Sequence, residues 1–91
     1  MKEKRQFERH NVEYHVIDHS EDTARTLDCV DISEGGMKIR GQAIKDEFHT
    51  SILVPNSNVE YIVKVKKVYQ NEEFFGVEII NAPDKFFDKI V

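Results

Sequence analysis

The 91-residue chain has few of the features that mark secreted or membrane-spanning proteins. It contains one cysteine, Cys29, and no tryptophan. A lone cysteine cannot form an internal disulfide, so a disulfide-stapled secreted domain is excluded and a cytoplasmic location fits best. We expect Cys29 to be a small core residue. No apolar run approaches the roughly 18 residues of a membrane span, and the N-terminus lacks the apolar stretch of a signal peptide, so we expect no membrane insertion.

Sequence patterns typical of enzymes and metal sites are also missing. There is no G-x-S-x-G motif, no P-loop and no H-E-x-x-H motif. His15 and His19 would share one face of a strand, but no third or fourth ligand follows at a recognisable spacing. We therefore expect a binding protein that is not an enzyme and holds no metal or cofactor.

Charge is unevenly distributed along the chain. The whole chain has 13 basic and 17 acidic residues, a net charge of −4, which argues against broad binding to DNA or to an anionic membrane. Residues 1–9 hold four basic and two acidic groups, whereas the remainder holds nine basic and fifteen acidic groups. A short cationic arm thus precedes an acidic body, and the arm could capture a compact anion locally.

The length allows one domain, and the hydrophobic pattern predicts an all-β fold. Strand-like patterns cover residues 12–16, 24–32, 37–40, 51–54, 59–65 and 74–80. Spacings near ten residues with tight turns predict a small six-stranded antiparallel β-barrel. Pro83 suits the first position of a helix, and Phe86, Phe87 and Ile90 would then share one side of it. We expect a flexible N-terminal arm over 1–10, the barrel over 11–82 and a short C-terminal helix over 83–91.

Two finer expectations concern the core. In the second strand, alternation predicts that Cys29 and Ile32 face opposite sides of the sheet. Residues 42–50 lack a regular pattern, so we expect Ala43, Ile44 and Phe48 to fill the core from a loop.

Two short motifs carry the chemistry of a binding site. Arg5 and Arg9 are planar five-donor forks that pair with phosphate or with the O6/N7 edge of guanine. At the end of a strand, Asp31 can accept two parallel hydrogen bonds from the N1–H and N2–H of guanine, with Ser33 beside it. Gly36 would let the backbone approach a flat ring because it has no Cβ. Together these residues point to a ligand that contains both guanine and phosphate.

In the same order and spacing, these residues resemble the PilZ domain, the bacterial receptor module for cyclic di-GMP. The family pattern is R-x-x-x-R, followed some twenty to thirty residues later by [D/N]-x-S-x-x-G, and no position of it is substituted here. Residues 75–79 are similar to a late strand of the family. The resemblance implies a six-stranded antiparallel β-barrel with the arginine arm across its surface.

The resemblance also implies a role for each motif residue. Arg5 and Arg9 would grip phosphates and guanine, and Asp31, Ser33 and Gly36 would read one guanine. Lys4, just before the first arginine, could add a contact, and in this family its position influences whether one or two ligand molecules bind.

The resulting hypothesis is that cyclic di-GMP orders the arm and that a separate effector protein reads the altered surface. Two alternatives remain open. One is an interaction adaptor of the same fold that binds no nucleotide. The other is a small-barrel binder of single-stranded nucleic acid that uses Lys64, Lys66, Lys67 and Tyr69.

Overall fold

Six antiparallel strands close into a barrel in the computed structural model, which describes residues 10–33 and 35–83. The strands are β1 (His10–Asp18), β2 (Arg25–Ser33), β3 (Gly36–Arg40), β4 (Glu47–Leu53), β5 (Glu60–Gln70) and β6 (Phe74–Asn81). Their order around the barrel is β1-β2-β3-β6-β5-β4, and β4 pairs back with β1. The predicted six-stranded antiparallel β-barrel is therefore confirmed.

The predicted terminal segments fall mainly outside the described residues. The arm over 1–10 lies outside them except for His10, which begins β1. The predicted helix over 83–91 lies outside them beyond Pro83, and none of the described residues is helical.

The barrel interior is filled by alternate residues of the strands. On β6, Phe75 and Val77 are buried and Ile79 packs against the same cluster, as the alternation predicts. Phe75 is fully buried, which contributes about 2–3 kcal/mol of hydrophobic stabilisation. Its ring lies 6.2 Å from that of Phe48, centroid to centroid, at an interplanar angle of 60°. This tilted arrangement suits the quadrupoles of two aromatic rings.

A β-bulge changes the expected facing of β2. Cys29 and Ile32 are both 0% exposed, so the prediction that they face opposite sides is wrong. The pairing of β2 with β3 shifts register between Cys29 and Asp31, which inserts one extra residue and reverses the alternation beyond it. β1 shifts register nearby, between Asn11 and Tyr14.

β4 begins earlier than the sequence pattern predicts. Phe48 is buried and Ala43 packs against the core, as expected, but Phe48 reaches the interior from a strand. Ile44 is 42% exposed, so its predicted core position is wrong. Phe48, Thr50 and Ile52 alternate inward, and the Thr50 hydroxyl donates to the Ile17 carbonyl at 2.8 Å. The polar threonine hid this alternation in the sequence.

One end of the barrel is closed by a polar network. The Asp18 carboxylate, 1% exposed, accepts hydrogen bonds from the backbone and hydroxyl of Ser20 and from Arg25, whose Nη2 lies 2.8 Å away. Arg25 also donates to the Gln42 carbonyl. The Gln70 amide joins the loop after β3 to the start of β6 through four further hydrogen bonds to backbone groups. These contacts stabilise the loops opposite the β2–β3 turn.

The late Phe-Gly-Val run, residues 75–77, has a packing explanation. Gly76 pairs with Tyr69 across β5 and β6. A Cβ on Gly76 would lie 2.1 Å from Cε2 of Tyr69, so the ring lies directly over the glycine. An aromatic ring that covers a cross-strand glycine compensates for its missing side chain.

Candidate functional site

The three residues of the D-x-S-x-x-G motif lie at the β2–β3 turn. Asp31 and Ser33 belong to the last three residues of β2, and Gly36 is the first residue of β3. Asp31 is partly exposed, with Asn11 of β1 and Lys38 of β3 as its register partners. Ser33 and Gly36 are buried. Of the three, Asp31 is the residue that is partly exposed.

Ser33 faces the turn itself. It is 3% exposed and pairs with Gly36 across the two strands. Its hydroxyl lies 3.5 Å from the Gly36 carbonyl oxygen, to which it donates a long hydrogen bond. The serine therefore helps to hold the two strand ends together.

Gly36 is required by close packing against β6. A Cβ built on it would lie 2.4 Å from the carbonyl oxygen of Val77, a backbone atom that cannot easily move. The adjacent Gly35 carbonyl accepts a hydrogen bond from the Ile79 amide at 2.9 Å. Gly36 therefore allows two strands of the barrel to approach each other closely, and its approach to a flat ligand ring stays a prediction.

A cavity of about 430 Å³ is lined by residues of β1, β2 and β3. Asp31 is not one of its lining residues, but it directly follows Val30, which is one. The described residues that line the cavity are Val12, Glu13, Tyr14, His15, Asp28, Cys29, Val30 and Arg40. The register shifts of β1 and β2 occur at this place, so the bulges shape the cavity.

Hydrogen-bond acceptors dominate one wall of the cavity. Glu13 and Asp28 provide carboxylates, and the Asp28 Oδ1 lies 3.2 Å from the Nδ1 of His15. Partial burial raises the pKa of the Tyr14 hydroxyl above its ordinary value of 10, and the neighbouring Cys29 thiolate adds to the effect. Tyr14 thus stays a neutral donor at neutral pH.

Arg40 contributes the positive charge of the cavity. It is the one lysine or arginine among the described lining residues. Its guanidinium carbon lies 4.9 Å from the centroid of the Phe74 ring, and the Lys38 ammonium lies 4.5 Å from the same centroid. Among the described residues, it forms an ion pair with Glu73, whose Oε2 lies 3.8 Å from Nη1. Sequence reasoning missed Arg40, although its alternation with Lys38 on β3 was visible.

The predicted arginine half of the site lies outside the described residues. This applies to Arg5, Arg9 and Lys4. His10 begins β1 and has Ile32 as its register partner, so β1 starts beside the strand end that carries Asp31.

The two histidines that could have formed a metal pair have separate partners. His15 faces Asp28, and the Nε2 of His19 lies 2.8 Å from the hydroxyl of Ser51. The described ranges contain no group of three or more histidine, cysteine, aspartate or glutamate residues placed to hold a metal ion. Within them, no helix could cross a membrane either.

Two of the three β5 lysines lie near carboxylates. The Lys64 ammonium is 3.8 Å from a Glu47 oxygen, and that of Lys67 is 3.5 Å from Asp46. A basic groove for single-stranded nucleic acid would leave such charges available to phosphates. The β5 surface therefore gives that alternative little support.

The fold is a small closed β-barrel, and comparison with known proteins names the family. The family model of the PilZ domain matches residues 3–91, so the chain belongs to the PilZ domain family. PilZ domains are regulatory binding modules. Among solved structures, that of the Bacillus subtilis inhibitor of motility (MotI/DgrA) superposes with a TM-score of 0.81 at 14% identity. The match covers 98% of this chain and 48% of that one, so this chain spans about half its length. No curated protein matches significantly by sequence.

Proposed function

We propose that this chain is a cyclic di-GMP receptor that signals through a separate protein partner. The observation that carries the proposal is the family match over 3–91, which spans both halves of the binding motif. The position of Asp31 supports it, because this residue is partly exposed and lies near the end of β2.

Each half of the motif supplies what the other lacks. Asp31 can accept the N1–H and N2–H donors of one guanine, but a carboxylate repels the ligand's phosphates. Arg5 and Arg9 would supply the compensating positive charge and grip the phosphates, and Lys4 could add to it. A ligand held between the arm and the barrel would restrain the arm, and the changed surface would be the signal.

The buried members of the motif have a supporting role in this proposal. Ser33 and Gly36 shape the β2–β3 turn through the contacts described above, and the turn places Asp31. Asp31 is then the reader of guanine, and the other two hold it in position.

The partner would bind on the other side of the barrel. Of the six large hydrophobic residues that are exposed in the described part of the chain, five lie on β5, on β6 or just before β5. They are Val59, Ile62, Val68, Tyr69 and Ile80. In the closed strand order β5 lies opposite β2. Since five of the six exposed large hydrophobic residues lie at these two strands, we propose that the effector binds to the β5–β6 face.

Calorimetric titration with cyclic di-GMP tests the proposed function. Loss of one charge-assisted contact costs roughly 1.5–3 kcal/mol, or about ten- to a hundredfold in affinity. We expect Arg9→Ala and Asp31→Ala each to weaken binding at least tenfold. Asp22→Ala, in the exposed β1–β2 loop, removes the same charge and should leave affinity unchanged. Unchanged affinity in both motif variants would refute the site, and a wild-type amide NMR spectrum that does not move would favour the nucleotide-free adaptor.

A further inference from the structure

The charge of the cavity is difficult to reconcile with an anionic ligand. Glu13 and Asp28 line it. A phosphate placed there would meet two carboxylates, and like charges at short range are unfavourable. A neutral group with hydrogen-bond donors fits this wall better, and the Watson–Crick edge of guanine is such a group.

Arg40 faces the same cavity and offers the complementary chemistry. A guanidinium donates two parallel hydrogen bonds to the O6 and N7 acceptors of guanine. The cavity thus presents acceptors on β1 and β2 and a donor fork on β3, which matches a base that carries both kinds of edge.

Existing contacts leave the Arg40 guanidinium available to a ligand. Its side chain is 51% exposed, and an exposed ion pair at 3.8 Å from Glu73 is weak. The Phe74 ring instead holds the guanidinium by a cation–π contact at 4.9 Å, which leaves the planar N–H groups free to donate. The Lys38 ammonium lies over the same ring, so Phe74 contacts both cations of β3 from the neighbouring strand β6.

We propose that Arg40 is a further specificity-determining residue, which donates to the O6/N7 edge of a guanine in this cavity and is positioned by Phe74. This inference rests on the proposed function, because it concerns the same ligand. It assigns Arg40 to a base and leaves the phosphates to the arginine arm.

The first experiment compares charge removal at two places. Arg40→Gln should weaken cyclic di-GMP binding about tenfold in calorimetry, since one charge-assisted contact at a half-exposed site is lost. Lys45→Gln removes the same charge from an exposed residue beside the β1–β2 loop and should leave the affinity unchanged. Equal effects of the two changes would mean that Arg40 acts through net charge alone, which would overturn the proposal.

The second experiment separates base from phosphate. The probe is the cyclic dinucleotide of 7-deazaguanosine, which keeps both phosphates and lacks the N7 acceptor. The wild type should bind it several-fold more weakly than cyclic di-GMP, and Arg40→Gln should bind both ligands equally. A variant that retains the wild-type preference would show that Arg40 does not read N7, and the assignment to guanine would fail.

The third experiment tests the positioning role of Phe74. Phe74→Leu keeps an apolar side chain but removes the ring, and should weaken cyclic di-GMP binding about two- to fivefold. In an Arg40→Gln background the same change should have no further effect, because the residue that it positions is absent. Additive losses would contradict the positioning role of Phe74.

The inference and the proposed function can fail separately. If the wild type binds cyclic di-GMP and its affinity depends on Asp31 but not on Arg40, this inference fails while the proposed function stands. If the wild type does not bind cyclic di-GMP, the proposed function itself fails.

Discussion

Replacement of Arg25 by methionine should destabilise the barrel by about 3 kcal/mol, because it leaves the buried Asp18 carboxylate without a cation. Asp18 is 1% exposed, and its Oδ2 accepts from Arg25 Nε at 2.9 Å and lies 2.8 Å from Nη2. Ser20 satisfies the other oxygen. Methionine keeps the apolar length of the side chain and removes both donors to Oδ2.

The magnitude follows from the two sides of the pair. Removal of one partner of a buried ion pair costs about 3–5 kcal/mol. The Arg25 side chain is 33% exposed, so water can reach the vacated position and the lower end of that range applies. A domain of 91 residues has a total stability of about 5–14 kcal/mol. The loss is therefore a large fraction of the whole.

Urea denaturation followed by circular dichroism measures the effect. For a domain of this size m is about 1–1.5 kcal/mol/M, so the midpoint should fall by about 2–3 M while m stays constant. The double variant Asp18→Asn/Arg25→Met removes both charges and should recover part of the loss, because no unpaired charge is left buried. A single variant that loses less than about 1 kcal/mol, or a double variant no more stable than the single, would refute the reasoning.

Two further predictions concern residues near the site. Gly36→Ala should cost about 1–3 kcal/mol, because its Cβ would lie 2.4 Å from a β6 carbonyl oxygen; thermal unfolding measures it, and an unchanged midpoint would contradict the close packing. Tyr14→Phe should alter the pH dependence of stability. The raised pKa of Tyr14 contributes stability that is present below about pH 10 and is lost as pH rises above it, so urea midpoints between pH 9 and 11.5 should fall less steeply in the variant. If the urea midpoints of the wild type and the variant fell in parallel with pH, the stabilising role of the Tyr14 pKa would be contradicted.

The fold was predictable where hydrophobic alternation was uninterrupted. The inward row of β6, with Phe75 and Val77, follows directly from a period of two. The predicted facing of β2 residues was wrong because a bulge adds one residue and reverses the direction of every later side chain. Nothing in the local sequence distinguishes Val30 from its neighbours. The predicted start of β4 was wrong because Thr50, a polar residue, is buried. Its hydroxyl donates a hydrogen bond to a carbonyl of the partner strand β1.

The strand-end position of the motif residues was predictable from the sequence, but their packing was not. The motif predicts that Asp31 lies at the end of a strand, and it lies near the end of β2. The packing reason for Gly36 depends on Val77 of β6, more than forty residues later. Asp18 offered a usable signal, because it shares the inward parity of Val16 and an inward acidic residue requires a partner.

The architecture constrains how a ligand could produce a signal. Every strand of the barrel is paired on both sides, so no edge is available for rearrangement. Among the described residues, no buried side-chain polar atom lacks a hydrogen-bond partner, which further opposes a second packing arrangement. A barrel with these properties is rigid, so a ligand acts by restraining a segment that is attached to the barrel. We therefore expect cyclic di-GMP to leave amide exchange in the centres of β5 and β6 unchanged. Faster or slower exchange there would place the switch inside the barrel and contradict signalling through the arm.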